Sequence, residues 1–167
     1  DAGQSDRSHA PGCRMTVSVT DVRLPSQIGI IEPVASVAKS AGYTVCIEHD
    51  WRKAAARWQE AAQGSAPTVF QSPHWLDCWY SSVGQADGVE PLLVEVRDEA
   101  TGALAMLLPL IRYRRGKLSV VSFADLDLTD FNAPVLGSAA PVAQAKALRL
   151  LKAVRKALPP ADLLDLR

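Results

Sequence analysis

The sequence predicts an α/β layer domain of the α+β kind, in which helices cover a sheet. Three observations predict it. Glu90–Phe123 reads as three strands joined by two tight turns. Its middle run places Leu107 beside Leu108, so both faces of that strand are covered. The flanking segments carry apolar residues at steps of three and four, the spacing of helices with one buried face.

The meander comes first because the rest is built on it. Glu90–Arg97 is β-rich and partly alternating, and Asp98–Gly102 is a polar turn. Ala103–Arg114 is the long apolar run; Arg115–Gly116 turns the chain into Lys117–Phe123, which alternates again. Pro109 sits inside the middle strand. Proline cannot donate to a ladder, so it marks a bulge, a splayed strand or an edge. A gap opened there is a candidate ligand entrance; an edge strand with no further role is the alternative.

Upstream, residues 1–40 are read as a mobile lead-in, punctuated by Pro25, Gly29 and Pro33, and residues 41–167 as the domain. Met15 offers an alternative start, with the polar stretch before it read through from upstream. Tyr43–Glu48 is a strand with β-branched and aromatic residues in period two. Asp50 caps a helix that runs to about Gln63 and stops at Gly64. Trp51, Ala54, Ala55, Trp58 and Ala62 share one face of it, the tryptophans as packing anchors. Val69–Phe70 is a short extended piece. Ser72-Pro73 opens a second helix, serine at the cap and proline at the first helical position, which runs to about Val83 and stops at Gly84. Trp75, Trp79 and Val83 stack at four-residue steps, widened by Leu76 and Tyr80. This face packs on the meander, or one tryptophan lines a pocket.

Downstream, Ala124–Pro134 holds Asp125, Asp127 and Asp130 within eleven residues. A calcium loop is excluded, since no glycine lies at the bend and no glutamate follows. Two readings stay open: a carboxylate serving as general base, or a polar loop whose aspartates bond their own turns. Ser138–Leu158 is the longest helix, with Ala143, Ala147, Leu150, Leu151, Val154 and Leu158 as its stripe. Lys146, Arg149, Lys152, Arg155 and Lys156 bring five positive charges to it and no acid. They form a solvated face or attract a phosphate-bearing ligand. After Pro159-Pro160, Leu163–Leu166 reads as a strand that wants a partner beyond it, so a further portion of protein is expected.

Eighteen Lys and Arg balance eighteen Asp and Glu, which gives the chain as a whole no electrostatic case for nucleic acid or an anionic membrane. No apolar run reaches the roughly 20 residues of a membrane span. Cys13, Cys46 and Cys78 have neither zinc spacing nor a disulfide framework, and a reducing cytoplasm is expected. His9, His49 and His74 are not spaced as metal ligands, so no metal is expected. Walker, dinucleotide and serine-elbow motifs are absent.

The order of several segments goes further. Phe70, Trp75 and Trp79 open the second helix; Leu108–Leu110 with Arg112–Arg115 form a "lPL" strand with basic residues; Asp130, Phe131 and Pro134 make an aspartate–aromatic–proline turn. Over about Trp51–Arg167 this resembles the amino-terminal half of the CelD-like (cellulose-biosynthesis type) acyltransferases of the Gcn5-related N-acetyltransferase superfamily. The resemblance implies two tandem acetyltransferase-like folds, each a mixed, mostly antiparallel sheet flanked by helices. It implies transfer of an acyl group from acetyl-coenzyme A or another acyl-coenzyme A to an amine or sugar acceptor. The acyl donor would be bound mainly by a carboxy-terminal domain, with this half shaping the acceptor pocket. Trp75, Asp130 and Phe131 are the candidates for the acceptor wall. The superfamily's cofactor loop precedes a helix; the nearest run here, Arg112–Gly116, precedes a strand. A second class stays open: a non-catalytic module of the same fold that binds a glycan or a protein partner. Exposed tryptophans would favour it, and buried ones the enzyme half.

Overall fold

The structure, a computed structural model, describes residues 35–65 and 67–167. They form an α+β fold: one seven-stranded, mostly antiparallel sheet flanked by three helices. The strands are β1 (Ser36–Ser40), β2 (Tyr43–Glu48), β3 (Glu90–Asp98), β4 (Leu104–Arg115), β5 (Leu118–Phe123), β6 (Val135–Leu136) and β7 (Leu163–Asp165). Their order is β1-β2-β3-β4-β5-β7, with β6 also on β4. Every pairing is antiparallel except β5 with β7, which the helix α3 (Gln144–Ala157) separates in sequence.

Period two sorts the sheet into two cores. Val45, Ile47, Leu92, Val94, Val96, Leu108 and Leu110 face α3, which buries Leu150, Ala153 and Val154 against them. Leu93, Leu107 and Ile111 face the other way, under α1 (Trp51–Gln63) and α2 (Pro73–Ser81). Leu107 and Leu108 thus enter different cores, which is why so apolar a run is a strand and not a helix.

The caps are those the sequence predicts. The Asp50 carboxylate accepts from the Arg52 N–H at 2.9 Å, and the Gly64 N–H bonds the Ala61 and Ala62 carbonyls. Ser72 Oγ accepts from the Trp75 N–H at 3.2 Å ahead of Pro73. Three boundaries differ. α2 ends at Ser81, and Val83–Gln85 is a separate 3-10 turn. Gly84 is buried there because the Trp79 and Tyr80 rings lie 3.1 Å from where a Cβ would be. Val69–Phe70 is not extended but part of the 3-10 turn Val69–Gln71. Gln71 holds that turn: its side chain accepts from the Thr68 N–H at 2.7 Å and donates to the Ala133 and Pro134 carbonyls. α3 begins at Gln144, six residues later than expected: Pro141 disfavours helical geometry at Ala140, and Ala143 ahead of the helix is extended (φ −78°, ψ 131°). Its stripe is shifted too: Ala153 is buried and Leu151 is exposed.

Ser36–Ser40, placed in the lead-in by its punctuation, is a strand. It forms a hairpin with β2 through Ala41 and Gly42, both at positive φ (56° and 85°), the geometry of a two-residue hairpin turn. As an edge strand it leaves Val37 exposed, and so carries almost no apolar signal. The remainder of the lead-in, residues 1–34, lies outside the described residues.

Pro109 does not open a ligand entrance. Its carbonyl accepts from the Ala124 N–H at 2.8 Å, on the β5 side of β4. A strand residue points its N and its carbonyl to the same side, so the missing donor falls there as well. At that point β4 changes partner: β5 pairs with Leu110–Arg115, while β6 pairs with Met106 and Leu107. The proline occupies the position between two neighbours where no ladder N–H is asked of it, and buried Val135 of β6 helps close the gap.

Candidate functional site

A groove of about 650 Å³ lies over the other end of the sheet, on the face that α1 and α2 cover elsewhere. Register explains its floor. Ile111 pairs with Ser122, and Ser122 with Asp165, so these side chains share a face, together with Tyr113 and Arg115 at alternate positions. Past Ile111 the covering passes from helix to the loop between β5 and β6. Asp125, Leu126, Asp127, Thr129, Asp130 and Asn132 of that loop line the groove.

The loop is built around Asp125. One carboxylate oxygen accepts from the Leu128 N–H, the Thr129 N–H and Thr129 Oγ1 at 2.8–2.9 Å. The other accepts from Asn132 Nδ2 at 3.0 Å. The Asp125 carbonyl takes the Trp79 indole N–H at 3.4 Å, which ties the loop to α2. Between these anchors Leu126 and Asp127 stand at φ 50° and 62°. Two successive non-glycine residues in the left-handed region are costly, and the hydrogen bonds of Asp125 hold them there.

The four carboxylates of the groove have different fates. Asp125 is consumed by the loop. Asp165 is gripped by Arg167 through two bonds of 2.7 and 2.6 Å. That bidentate contact holds the Asp165 carboxyl below the usual range and raises the Arg167 guanidinium. Asp127 lies within the field of Arg167. Asp130 has no hydrogen-bond or ion-pair partner among the described residues, and it is exposed at the rim.

Of the three residues expected at an acceptor wall, the groove contains only Asp130. Phe131 is 70% exposed and does not line it. Trp75 is half-buried in the second core, edge-on to Phe70 with ring centroids 5.2 Å apart. Trp79, one turn on, is buried. Tyr113, Ser122, Thr129, Asn132 and Asp165 are the residues that sequence reasoning missed. Tyr113 has a signal, its parity with Leu107 and Ile111. Asp165 has none, because its place depends on a partner strand more than forty residues away.

Acyl-coenzyme A, which the resemblance implies, needs cations or backbone N–H groups for its phosphates. The groove does not fit that need: its four carboxylates face two guanidiniums, Arg115 and Arg167, and the second is already paired. Arg112–Gly116 lies in the β4–β5 hairpin, away from any helix start. Among the described residues, no group of three or more His, Cys, Asp or Glu is placed to hold a metal ion, and no helix is long and apolar enough to cross a membrane. None of the known protein families, characterised proteins or solved structures matches the chain.

Proposed function

We propose that this chain is the acceptor-binding, amino-terminal part of a CelD-like N-acyltransferase, acting on an amine such as an amino sugar. The observation that carries the reading is the groove, which offers an uncommitted carboxylate, Asp130, at its rim. A protonated amine is drawn to such a group, while Thr129 and Asn132 beside it spend their donors on Asp125 and hold the loop in shape. The acyl donor is assigned to a carboxy-terminal domain, because the groove is unsuited to phosphates. Burial of Trp79 favours this reading over an exposed aromatic platform. Among the described residues, Phe131, largely exposed and next to Asp130 in the loop, favours a non-catalytic glycan-binding module.

The test uses the protein expressed from its whole natural reading frame. Acetyl-coenzyme A is supplied with a panel of amino sugars and amino acids, and thiol release is followed. Release with an amine, together with a KM for that amine raised several-fold by Asp130→Asn at little cost in kcat, supports the reading. The 167-residue chain alone is expected to release no thiol above a heat-treated control. Acceptor binding without thiol release in the whole-frame protein would favour the binding module, and no response to any amine would overturn the acyltransferase reading.

A further inference from the structure

The outer face of α3 is unlike the rest of the surface. Leu148 and Leu151 are 51% and 49% exposed, while Leu150, Ala153 and Val154 of the same helix are buried in the first core. At 100° per residue, Leu151, Arg155, Leu148 and Lys152 fall within an outward arc of about 100°. Arg149 and Lys156 lie together beyond one edge of that arc, and Val142, fully exposed, precedes the helix by two residues.

All five cations of α3 are exposed, and none makes an ion pair among the described residues. Asp98 lies in the field of Lys146, near the start of the helix, and Asp162 shares a small hollow with Arg155, near its end. No Asp or Glu occurs in the sequence between Asp130 and Asp162. Because the chain is neutral overall, the remaining residues carry five more acids than bases (18 acids against 18 − 5 = 13 bases). Net neutrality therefore hides a separation: a basic helix on one face of the sheet, and an acidic groove on the other.

We propose that α3 docks the protein on an anionic lipid surface. Lys152 and Arg155, with Arg149 and Lys156 beside them, reach the headgroup phosphates, and Leu148 and Leu151 enter the boundary with the acyl chains. Cations interleaved with exposed leucines on a short helix are the composition of a segment that lies on a membrane rather than across it. A nucleic acid would satisfy the cations but leave both leucines in water, since its affinity comes from phosphate contacts. The proposal commits to lipid for that reason. Docked this way, the protein turns the acidic groove away from the bilayer, where anionic headgroups would compete for its ligand, and toward water.

The test is sedimentation of the 167-residue chain with phosphatidylcholine vesicles, plain or containing about 30 mol % phosphatidylserine. Binding is expected on the anionic vesicles alone. Raising salt from about 0.05 M to about 0.5 M should release it, as the Debye length falls below about 5 Å. Lys152→Glu with Arg155→Glu is expected to weaken binding roughly twentyfold or more, at about fivefold per cation lost. Leu148→Ser with Leu151→Ser leaves the charge unchanged and is expected to weaken binding roughly tenfold. Arg52→Glu with Lys53→Glu, exposed on α1, makes the same change in net charge and is expected to leave binding near wild type. All these positions are exposed, and each variant is checked for a wild-type melt. The proposal is overturned by no binding to anionic vesicles at low salt, by equal binding to plain vesicles, or by full binding of the leucine variant. A loss in the α1 control equal to that in α3, or tighter binding to duplex DNA than to the vesicles, would overturn it as well.

Discussion

Gly137→Ala is the substitution that most directly links the fold to the groove. Gly137 follows β6, the two-residue strand on which the groove loop ends. Its N–H donates to the Ala105 carbonyl at 3.1 Å, and the Ala139 N–H donates to the Leu104 carbonyl at 2.8 Å. A Cβ at position 137 would stand 2.3 Å from the Leu104 oxygen and 2.7 Å from its carbonyl carbon. These are backbone atoms in a paired strand, so Leu104 cannot turn aside, and the chain at 137 must move off by about 1 Å. That motion breaks one or both hydrogen bonds, each worth about 1 kcal/mol net. Overpacking strain adds about 1–3 kcal/mol. The expected loss is thus roughly 2–5 kcal/mol, which for about 130 folded residues lowers Tm by roughly 7–18 °C. Gly102→Ala is the matched control: Gly102 stands at φ 70° with nothing within 4 Å of a Cβ, so only backbone strain of about 1–2 kcal/mol applies. Thermal melts of both variants, with amide exchange at 137 and 139, are the assay. A Gly137→Ala protein that melts within about two degrees of wild type and keeps both amides protected would refute the close approach of β6 to β4.

Three further outcomes are expected. Trp79→Ala removes a buried indole stacked edge-on to Tyr80 and bonded to Asp125, and should cost roughly 3–5 kcal/mol, about 11–18 °C in Tm; a shift of a degree or so would place Trp79 at the surface. Asp125→Ala removes the acceptor of four hydrogen bonds and should destabilise by about 2–3 kcal/mol while raising amide exchange at Leu128 and Thr129; unchanged exchange there would mean that the loop holds its shape without it. Asp98 accepts from the Thr101 N–H and hydroxyl and the Ala100 N–H, which lower its carboxyl below the ordinary value. A depressed folded pKa stabilises above the unfolded pKa of about 4 and ceases to do so as pH falls through the folded value. Wild type should therefore exceed Asp98→Asn in stability at neutral pH, with the gap closing below about pH 4; a gap independent of pH would refute the assignment.

What was legible in the sequence is what neighbouring residues decide. Asp50 and Ser72-Pro73 start their helices because a cap needs only the next three residues. The meander was legible because β3, β4 and β5 are joined by short turns, so sequence neighbours are also spatial neighbours. β6 was not. Two residues, Val135 and Leu136, carry no period, and they form a strand only because Pro109 leaves that side of β4 without β5. β1 failed for a related reason: an edge strand with little to bury writes little apolar pattern into its sequence.

The candidate site shows the same division within single residues. Asp125, Asp127 and Asp130 look alike in sequence, and the two readings of them, base or turn-former, apply to all three equally. The structure separates them. Asp125 has Thr129 and Asn132 at offsets of four and seven, and they claim its oxygens. Asp127 is set against Arg167, and Asp130 is left to solvent. The tryptophans divide along a different coordinate. Trp75 and Trp79 share a helical face, which period alone reports, but four residues also advance about 6 Å along the axis. That one turn puts the Trp79 indole on the Asp125 carbonyl and leaves Trp75 against Phe70. A shared face is a rotational statement and does not place two side chains in one site. The aromatic coupled to the groove is therefore the buried Trp79, acting through the loop it anchors, while Trp75, the candidate offered with the resemblance, packs on Phe70.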